Sequence, residues 1–381
     1  MQGMAYTSLF HAQSYEDAWA DYERSLRNDA FVCWDYVILT ASNEHQAHGF
    51  EEQLKQRVGH LPQKTRFAVL PDPDGKRVGS GGATLNVQRY IRKREGGFSG
   101  LRILVIHSGG DSKRVPQYSA LGKLFSPVPH CLPDGRSSTL FDEFLISMAG
   151  VPGRIREGML LLSGDVLLLF NPLQIDYSGS GAAAISIKED VETGKNHGVY
   201  LRGMDGNVAR CLQKQPVEVL KQIGAVNEQN SVDIDTGAVI FSPAMLESLY
   251  GMMGGNYADF VNDHVRLSLY ADFLYPLGTE ATLEQFYLEK PEGEFSPELR
   301  ECRTAVWNAL RPFRMKLLRL APARFIHFGT TREIMRLMTE EVAAYSYLGW
   351  SAQVNSSLPM GVAGYNAVLS EKAVCGKDVY L

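Results

Sequence analysis

The chain has 381 residues, 45% hydrophobic and 21% charged, with a formal net charge of −5. That length can bury a large core and predicts one big domain plus a smaller appendage. The composition is that of an ordinary globular protein, and the acidic balance argues against a nucleic-acid partner, which a basic excess would serve.

The predicted elements follow in chain order. Tyr15, Trp19, Tyr22 and Leu26 recur at spacings of three and four and predict a helix over 13–30. A buried strand is read at 35–40, followed by a polar helix through Glu52 to Gln56. The strand at 67–70 ends in Pro71-Asp-Pro-Asp-Gly-Lys and then Gly79-Ser-Gly-Gly-Ala-Thr84, with a helix from Leu85 to Arg94. A strand at 102–107, a helix near 139–149 and a strand at 158–163 continue the alternation. Later strands are expected at 182–187, 198–202, 208–212 and 237–241, with helices near 243–252 and 255–270. Such alternation implies an α/β fold with a mostly parallel sheet covered on both faces, and ligands bind such sheets beyond the carboxyl ends of the strands. Glycines at 79–82 and 108–110, and the pair Gly164-Asp165, all fall at predicted strand ends. In the tail, Val362, Val368 and Val374 recur every six residues, as do Ala367 and Ala373. That period marks a parallel β-helix, the alternative being a chance pattern in an ordinary tail. If it is a solenoid it has barely begun at Leu381, which predicts that the chain is a piece of a longer protein.

The five cysteines (Cys33, Cys131, Cys211, Cys302, Cys375) form no CxxC pair or ligand-spaced cluster, which disfavours structural zinc and fits a reducing compartment. No signal peptide is read at the N-terminus, and the apolar run 159–170 is interrupted and too short to span a bilayer. The expectation is a cytoplasmic protein without a membrane partner.

Chemistry concentrates in 101–129. An apolar strand stops at Gly109-Gly110, Arg114 follows, and Lys123 closes a Gly-Lys pair before a Pro-rich stretch. Backbone N–H groups in a glycine turn cradle phosphate oxygens and fixed cations neutralise them. The bland alternative is an ordinary βα loop. It is not a Walker A loop, because Leu124 stands where a magnesium-binding hydroxyl belongs. Gly79, Ser80, Gly81 and Gly82 read either as a close-packing helix start or as nucleotide-binding N–H donors. Asp165, after an apolar strand, suits Mg²⁺ against phosphate oxygens, the alternative being a turn aspartate. Asp233 and Asp235 offer a second metal ligand or a partner for sugar hydroxyls, or mark an exposed strand start. Lys214 reads as a sugar-phosphate ligand or a surface lysine. His107 and His197 read as structural.

The ordered set 34–41 (WDYVILTA), 72–84 (DPDGKRVGSGGAT), 107–116 (HSGGDSKRVP), 121–125 (LGKLF), 163–166 (SGDV), 197–199 (HGV), 212–216 (LQKQP), 235–237 (DTG), 270–273 (YADF) and 327–331 (HFGTT) resembles the GDP-fucose pyrophosphorylase (fucose-1-phosphate guanylyltransferase) family. The family occurs alone or as the N-terminal half of a bifunctional fucokinase. The resemblance implies a nucleotidyltransferase core (glycosyltransferase-A-like, Rossmann-type, mixed sheet) over 1–325 and the start of a left-handed parallel β-helix over 326–381. It also implies the reaction of GTP with L-fucose 1-phosphate to GDP-L-fucose and pyrophosphate, with Mg²⁺. Under it, Arg114 and Lys123 take the phosphates, and residues 79–82 with Gly109 and Gly110 hold the nucleotide. Lys214, Asp235 and Gly198 face the sugar phosphate, and Asp165, with Asp235, holds the metal. Gln215 departs from the family pattern, in which Lys directly precedes Pro. The alternatives are another sugar or nucleotide for the same chemistry, or a non-catalytic nucleotide-sugar-binding paralogue. A fucokinase, fused or separate, is the expected partner.

Overall fold

The structure is a computed structural model that describes residues 2–110, 112–370, 372–376 and 379–381. Asp111, inside one of the family-like segments, lies outside the described residues. The chain begins with α1 (Gln2–Arg27), β1 (Tyr36–Ala41), α2 (Glu44–Gln56), β2 (Arg66–Pro71), α3 (Gly79–Glu95) and β3 (Arg102–His107). A short hairpin, β4 (Pro127–Cys131) and β5 (Ser137–Thr139), leads into α4 (Leu140–Ser147) and then β6 (Gly158–Ser163) and β7 (Val166–Leu169). The second half adds β8 (Ala182–Asp190), β9 (Gly198–Arg202), β10 (Val208–Gln213) and β11 (Ser231–Phe241). β12 (Met315–Arg319) and β13 (Arg324–His327) follow helices over Pro243–Met252 and Pro297–Leu310.

The main sheet has nine strands in the order β10-β9-β11-β6-β3-β1-β2, with β8 beside β11 and β12 beside β8. β2, β1, β3 and β6 run parallel, as alternation predicts. β11 then pairs antiparallel with β6, β8 and β9, so the sheet as a whole is mixed. Alternate side chains of each parallel strand enter opposite cores. Val37, Leu39, Leu104 and Ile106 pack with Phe50, Phe141 and Phe144 from α2 and α4. Ile38, Ile103, Val105 and Leu161 pack with Leu85, Val87 and Ile91 of α3 and with Met245, Leu249 and Val306. Each such side chain contributes about 1.5–3 kcal/mol relative to exposure, and this two-sided burial holds the parallel strand ends rigid.

The parallel register sets Thr40 beside His107 and His107 beside Ser163. Three strands therefore end level, and the loops after them face one another. Two expectations are corrected, and one strand is added. α3 starts at Gly79 rather than at Leu85, because the glycines form its first turn. The helix read over 255–270 is only a short turn, Tyr257–Phe260, followed by irregular chain and a wide turn at Leu269–Phe273. The apolar run after Asp165 is a separate strand, β7, paired antiparallel with β13. β13 crosses residue 325/326, and Ile326, Phe328, Ile334 and Leu337 beyond it join the main core.

In the tail, β14 (Gln353–Val354) pairs parallel with β15 (Gly364–Tyr365), and parallel bridges join Ser357 to Val368 and Ala363 to Tyr380. Of the valines at six-residue spacing, Val362 is buried, whereas Val368 and Val374 are exposed. Among the described residues no helix is long and apolar enough to cross a membrane.

Candidate active site

A cleft of about 270 Å³ opens at the level ends of β3 and β6. Its walls are His107 to Gly110, Ser112 to Arg114, Lys123-Leu124 and Ser163 to Asp165, with Arg77 at the rim. Arg77, Lys113, Arg114 and Lys123 bring four cations to one concavity, as a polyphosphate requires.

Glycine at two of these positions is a packing requirement. A Cβ on Gly109 would lie 3.1 Å from the Ala41 carbonyl carbon, and one on Gly164 would lie 2.8 Å from the His107 oxygen. Gly110 faces open space, and its carbonyl accepts from Gln46 Nε2 at 3.3 Å. Glycine here lets the strand ends converge, which shapes the cleft.

Lys123 Nζ donates to Asp165 Oδ2 at 2.9 Å and Ser163 Oγ donates to Asp165 Oδ1 at 2.7 Å, joining residues 42 apart in sequence. His327 Nε2 stands 3.7 Å from the same carboxylate, and its Nδ1 is 3.1 Å from Glu333 Oε1. Burial pushes the Asp165 carboxyl up, but His327 and Lys123 outweigh it and hold the group well below the usual carboxylate range. Burial alone lowers His327, and Asp165 with Glu333 raises it above its ordinary value. Asp165 is thus an ionised carboxylate, with 22% of its side chain exposed to the cleft. Mg²⁺ commonly takes one or two carboxylates and completes its shell with phosphate oxygens and water, and Asp165 meets that requirement. Among the described residues no three His, Cys, Asp or Glu side chains gather as a metal site.

In the loop 79–82, read as a nucleotide-binding N–H cradle, two donors are used inside the protein: Gly81 and Gly82 N–H both donate to the Leu267 carbonyl, at 2.7 and 3.3 Å. A Cβ on Gly79 would run into Leu267 O, and one on Gly81 would lie 2.9 Å from it. With these donors used inside the protein, the glycines serve backbone-to-backbone packing. The contribution of this stretch to the cleft is Arg77, which the sequence reading passed over although it lies in the same basic, glycine-rich run.

Gly198, Tyr200, Gly237 and Tyr270 surround Asp235. Its Oδ1 accepts from Gly237 N–H at 2.8 Å. A Cβ on Gly198 would lie 2.9 Å from Asp235 Cβ and 3.1 Å from Gln213 Nε2, so glycine is required for this approach. Burial raises the Asp235 carboxyl pKa, with the Gly237 N–H and Tyr200 opposing. The Tyr200 hydroxyl is buried with no hydrogen-bond partner of good geometry among the described residues, although it lies beside Asp235. Tyr270 O–H donates to the Gly237 carbonyl at 3.2 Å and feels both Asp235 and Asp165. Asp233, the other carboxylate of the pair, is buried and salt-bridged to Arg319 and Lys188.

Lys214 is exposed, with φ +46°, and its N–H donates to the His197 carbonyl at 3.1 Å. The His197 ring in turn lies edge-on to His327, 5.9 Å between centroids. His107 bonds Thr84 Oγ1 at 3.2 Å, and burial lowers its pKa to about 4. It is a neutral structural histidine. Sequence reasoning missed Tyr200, Gln213, Tyr270 and His327 as site residues. The last two sit in segments it had singled out without giving them a role.

The family's sequence profile for the fucose pyrophosphorylase domain matches residues 97–377. Fucose-1-phosphate guanylyltransferase of Mus musculus is 27% identical over 371 residues, 88% of this chain and 62% of that protein. The Homo sapiens protein of the same name is 28% identical over 363 residues, 86% of this chain and 58% of its own length. A bifunctional fucokinase/GDP-fucose pyrophosphorylase of Arabidopsis thaliana is 25% identical over 405 residues, 95% of this chain. The chain spans only 37% of that last protein and less than two thirds of each relative named here. With the profile covering most of the sequence, the chain belongs to the fucose pyrophosphorylase family.

Proposed function

We propose that this chain transfers a guanylyl group from GTP to L-fucose 1-phosphate, releasing pyrophosphate. The reading is carried by one observation: a four-cation cleft with an ionised carboxylate lies at the strand ends, and a partly buried cluster of a carboxyl and two tyrosine hydroxyls around Asp235 lies beside it. Family membership and the names of the relatives supply the sugar and the base. The core is read as a nucleotidyltransferase fold of the glycosyltransferase-A type. The parallel pairing of 353–354 with 364–365, and the bridges that continue it, support a C-terminal β-helix unit beginning after the β13 region.

In this reaction a phosphate oxygen of the sugar phosphate attacks the α-phosphorus of GTP. A new P–O bond forms as the bond to the β-phosphate bridging oxygen breaks, and pyrophosphate leaves with that oxygen. The sugar phosphate is already ionised at neutral pH, so no general base is required. Catalysis is positioning and charge neutralisation. Arg114 binds the departing β- and γ-phosphates, and Lys123 moves its contact from Asp165 to the α-phosphate. Asp165 would hold Mg²⁺, whose chemistry here would be the neutralisation of phosphate charge. Asp235, Gly198 and Gln213 receive the sugar, with the Tyr200 and Tyr270 hydroxyls beside them, and Lys214 faces its phosphate. The pKa of Asp235, raised by burial, suits a partner for hydroxyls better than a second metal ligand. A kinase acting on the anomeric oxygen must supply the acceptor, in keeping with the fucokinase named in bifunctional relatives.

The test is pyrophosphate release from a panel of nucleoside triphosphates and hexose 1-phosphates. Release is expected to be fastest with GTP and L-fucose 1-phosphate. Faster release with another pair would replace the substrates. Nucleotide-sugar binding without release from any pair would replace the enzyme with a sensor.

A further inference from the structure

The segment His327–Thr331 has no part in the chemistry above, yet it touches both walls of the cleft. It begins where β13 ends, paired with β7 so that His327 lies opposite Val166. Phe328 N–H extends that pairing by donating to the Asp165 carbonyl at 2.8 Å, while the His327 ring approaches the Asp165 carboxylate. Gly329 follows in contact with that ring, and any Cβ there would run into the imidazole. Thr330 then caps the next helical turn, its Oγ1 accepting from Glu333 N–H at 3.2 Å. The same Glu333 carboxylate holds His327 Nδ1 at 3.1 Å. Two residues after the glycine, Thr331 reaches the opposite wall. Its N–H donates to the Arg114 carbonyl at 2.9 Å, and its Oγ1 lies 3.1 Å from that carbonyl and 3.1 Å from Gln117 Oε1.

On its far side the loop carrying Arg114 is anchored by Val115, fully buried in the main core, with Tyr118 packed against that core. Among the described residues, the other backbone bonds within 112–119 are local turns, Val115 to Ser112, Tyr118 to Val115 and Ser119 to Pro116. Such turns fix a loop's shape, and the bonds from Thr331 tie the Arg114 backbone to the segment that follows β13. We infer that His327–Thr331 is a strap that sets the spacing between the Arg114 loop and Asp165, with Thr331 a positioning residue for the pyrophosphate end of the cleft. Thr331 acts through the Arg114 backbone and touches no substrate. The naming of that end rests on the function proposed above.

Pyrophosphate binding to the full chain, measured by calorimetry, tests the strap without requiring turnover. Thr331→Val keeps the side-chain shape and removes the hydroxyl. Pyrophosphate affinity is expected to fall about tenfold, the equivalent of one hydrogen bond of the more valuable kind, with L-fucose 1-phosphate affinity unchanged. Thr331→Ser, which restores the hydroxyl, is expected to recover wild-type affinity. Equal pyrophosphate affinity in wild type and Thr331→Val would overturn the proposal, as would a Thr331→Ser protein as weak as the valine variant. Should Thr331→Val fold poorly, tryptic cleavage after Lys113 and Arg114 in Thr331→Ala gives a second readout. Faster cutting there at an unchanged global melting temperature supports the strap, and an unchanged rate overturns it. A wild-type chain that binds pyrophosphate but transfers no nucleotide would sink the proposed reaction and leave the strap standing. An active wild type with an unaffected Thr331→Val would do the reverse.

Discussion

The cleft around Lys123 and the polar cluster around Asp235 neighbour one another on a single sheet but are built in opposite ways. The cleft gathers fixed charges from separate loops at the ends of parallel strands, with Arg77, Lys113 and Arg114 exposed at its surface and Lys123 half-buried. The cluster lies where β9 runs between antiparallel β11 and β10, and burial raises the pKa of its carboxyl and its tyrosine hydroxyls. The contrast teaches what each is suited to hold. A polyanion is bound by charge, which works across a wet surface. A neutral, hydroxyl-rich sugar needs desolvated polar partners of fixed geometry, since a mismatched hydroxyl then leaves a buried group unpaired.

Substitutions on the two sides should therefore fail differently. The largest effect is expected from Lys123→Ala, or Arg114→Ala, with kcat falling about 10²–10³-fold because charge stabilisation of the transition state is lost. Steady-state pyrophosphate release measures it, and near-normal turnover would take that residue out of the catalytic role. The floor beneath the cleft should respond to acid. His107 has its pKa lowered by burial, so the unfolded chain takes up a proton first as pH falls below its ordinary value of 6.5. Stability present above that pH is lost progressively down to about 4, of the order of 3 kcal/mol for this one group. Denaturant melts of wild type and His107→Gln across that window test this, the variant losing less. Identical acid slopes would mean that His107 is not the buried neutral group described.

Smaller effects belong to the cluster. Asp235→Asn should raise KM for the sugar phosphate about thirtyfold while KM for GTP stays put, the cost of weakening one charge-assisted hydrogen-bond partner. A rise in the GTP KM of equal size would erase the contrast between the two sides. Tyr270→Phe removes only the hydroxyl bonded to Gly237 and should cost a few-fold in the same constant. An effect as large as that of Asp235→Asn would make Tyr270 a direct sugar ligand.

Much of the parallel half was legible in the sequence, because uninterrupted apolar runs bounded by glycine and proline read as buried strands. The strands at 102–107 and 158–163 fall where the sequence places them, and so does the antiparallel strand at 198–202. What was not legible is the antiparallel pairing itself, since nothing local fixes which edge a strand joins after a long connection. Asp165 was singled out as a polar residue at the end of an apolar strand, and Lys123 as the cation of a Gly-Lys pair before a Pro-rich stretch. Their mutual contact was not. The glycines at 79–82 show the limit of motif reading, because one pattern serves a phosphate cradle and a close helix joint. Only the position of Leu267, nearly 190 residues away, decides between them. Tyr270 and His327 were inside segments already singled out, but their roles depend on β11 and β7 folding against them.

The account's central claim is that the cleft takes the nucleotide phosphates and the polar cluster around Asp235 takes the sugar. Calorimetric binding of pyrophosphate and of L-fucose 1-phosphate to Lys123→Ala and Asp235→Ala tests it most directly. The predicted result is a crossed pattern, in which Lys123→Ala loses pyrophosphate affinity and keeps the sugar phosphate while Asp235→Ala does the opposite. Parallel losses of both ligands in both folded variants would contradict it.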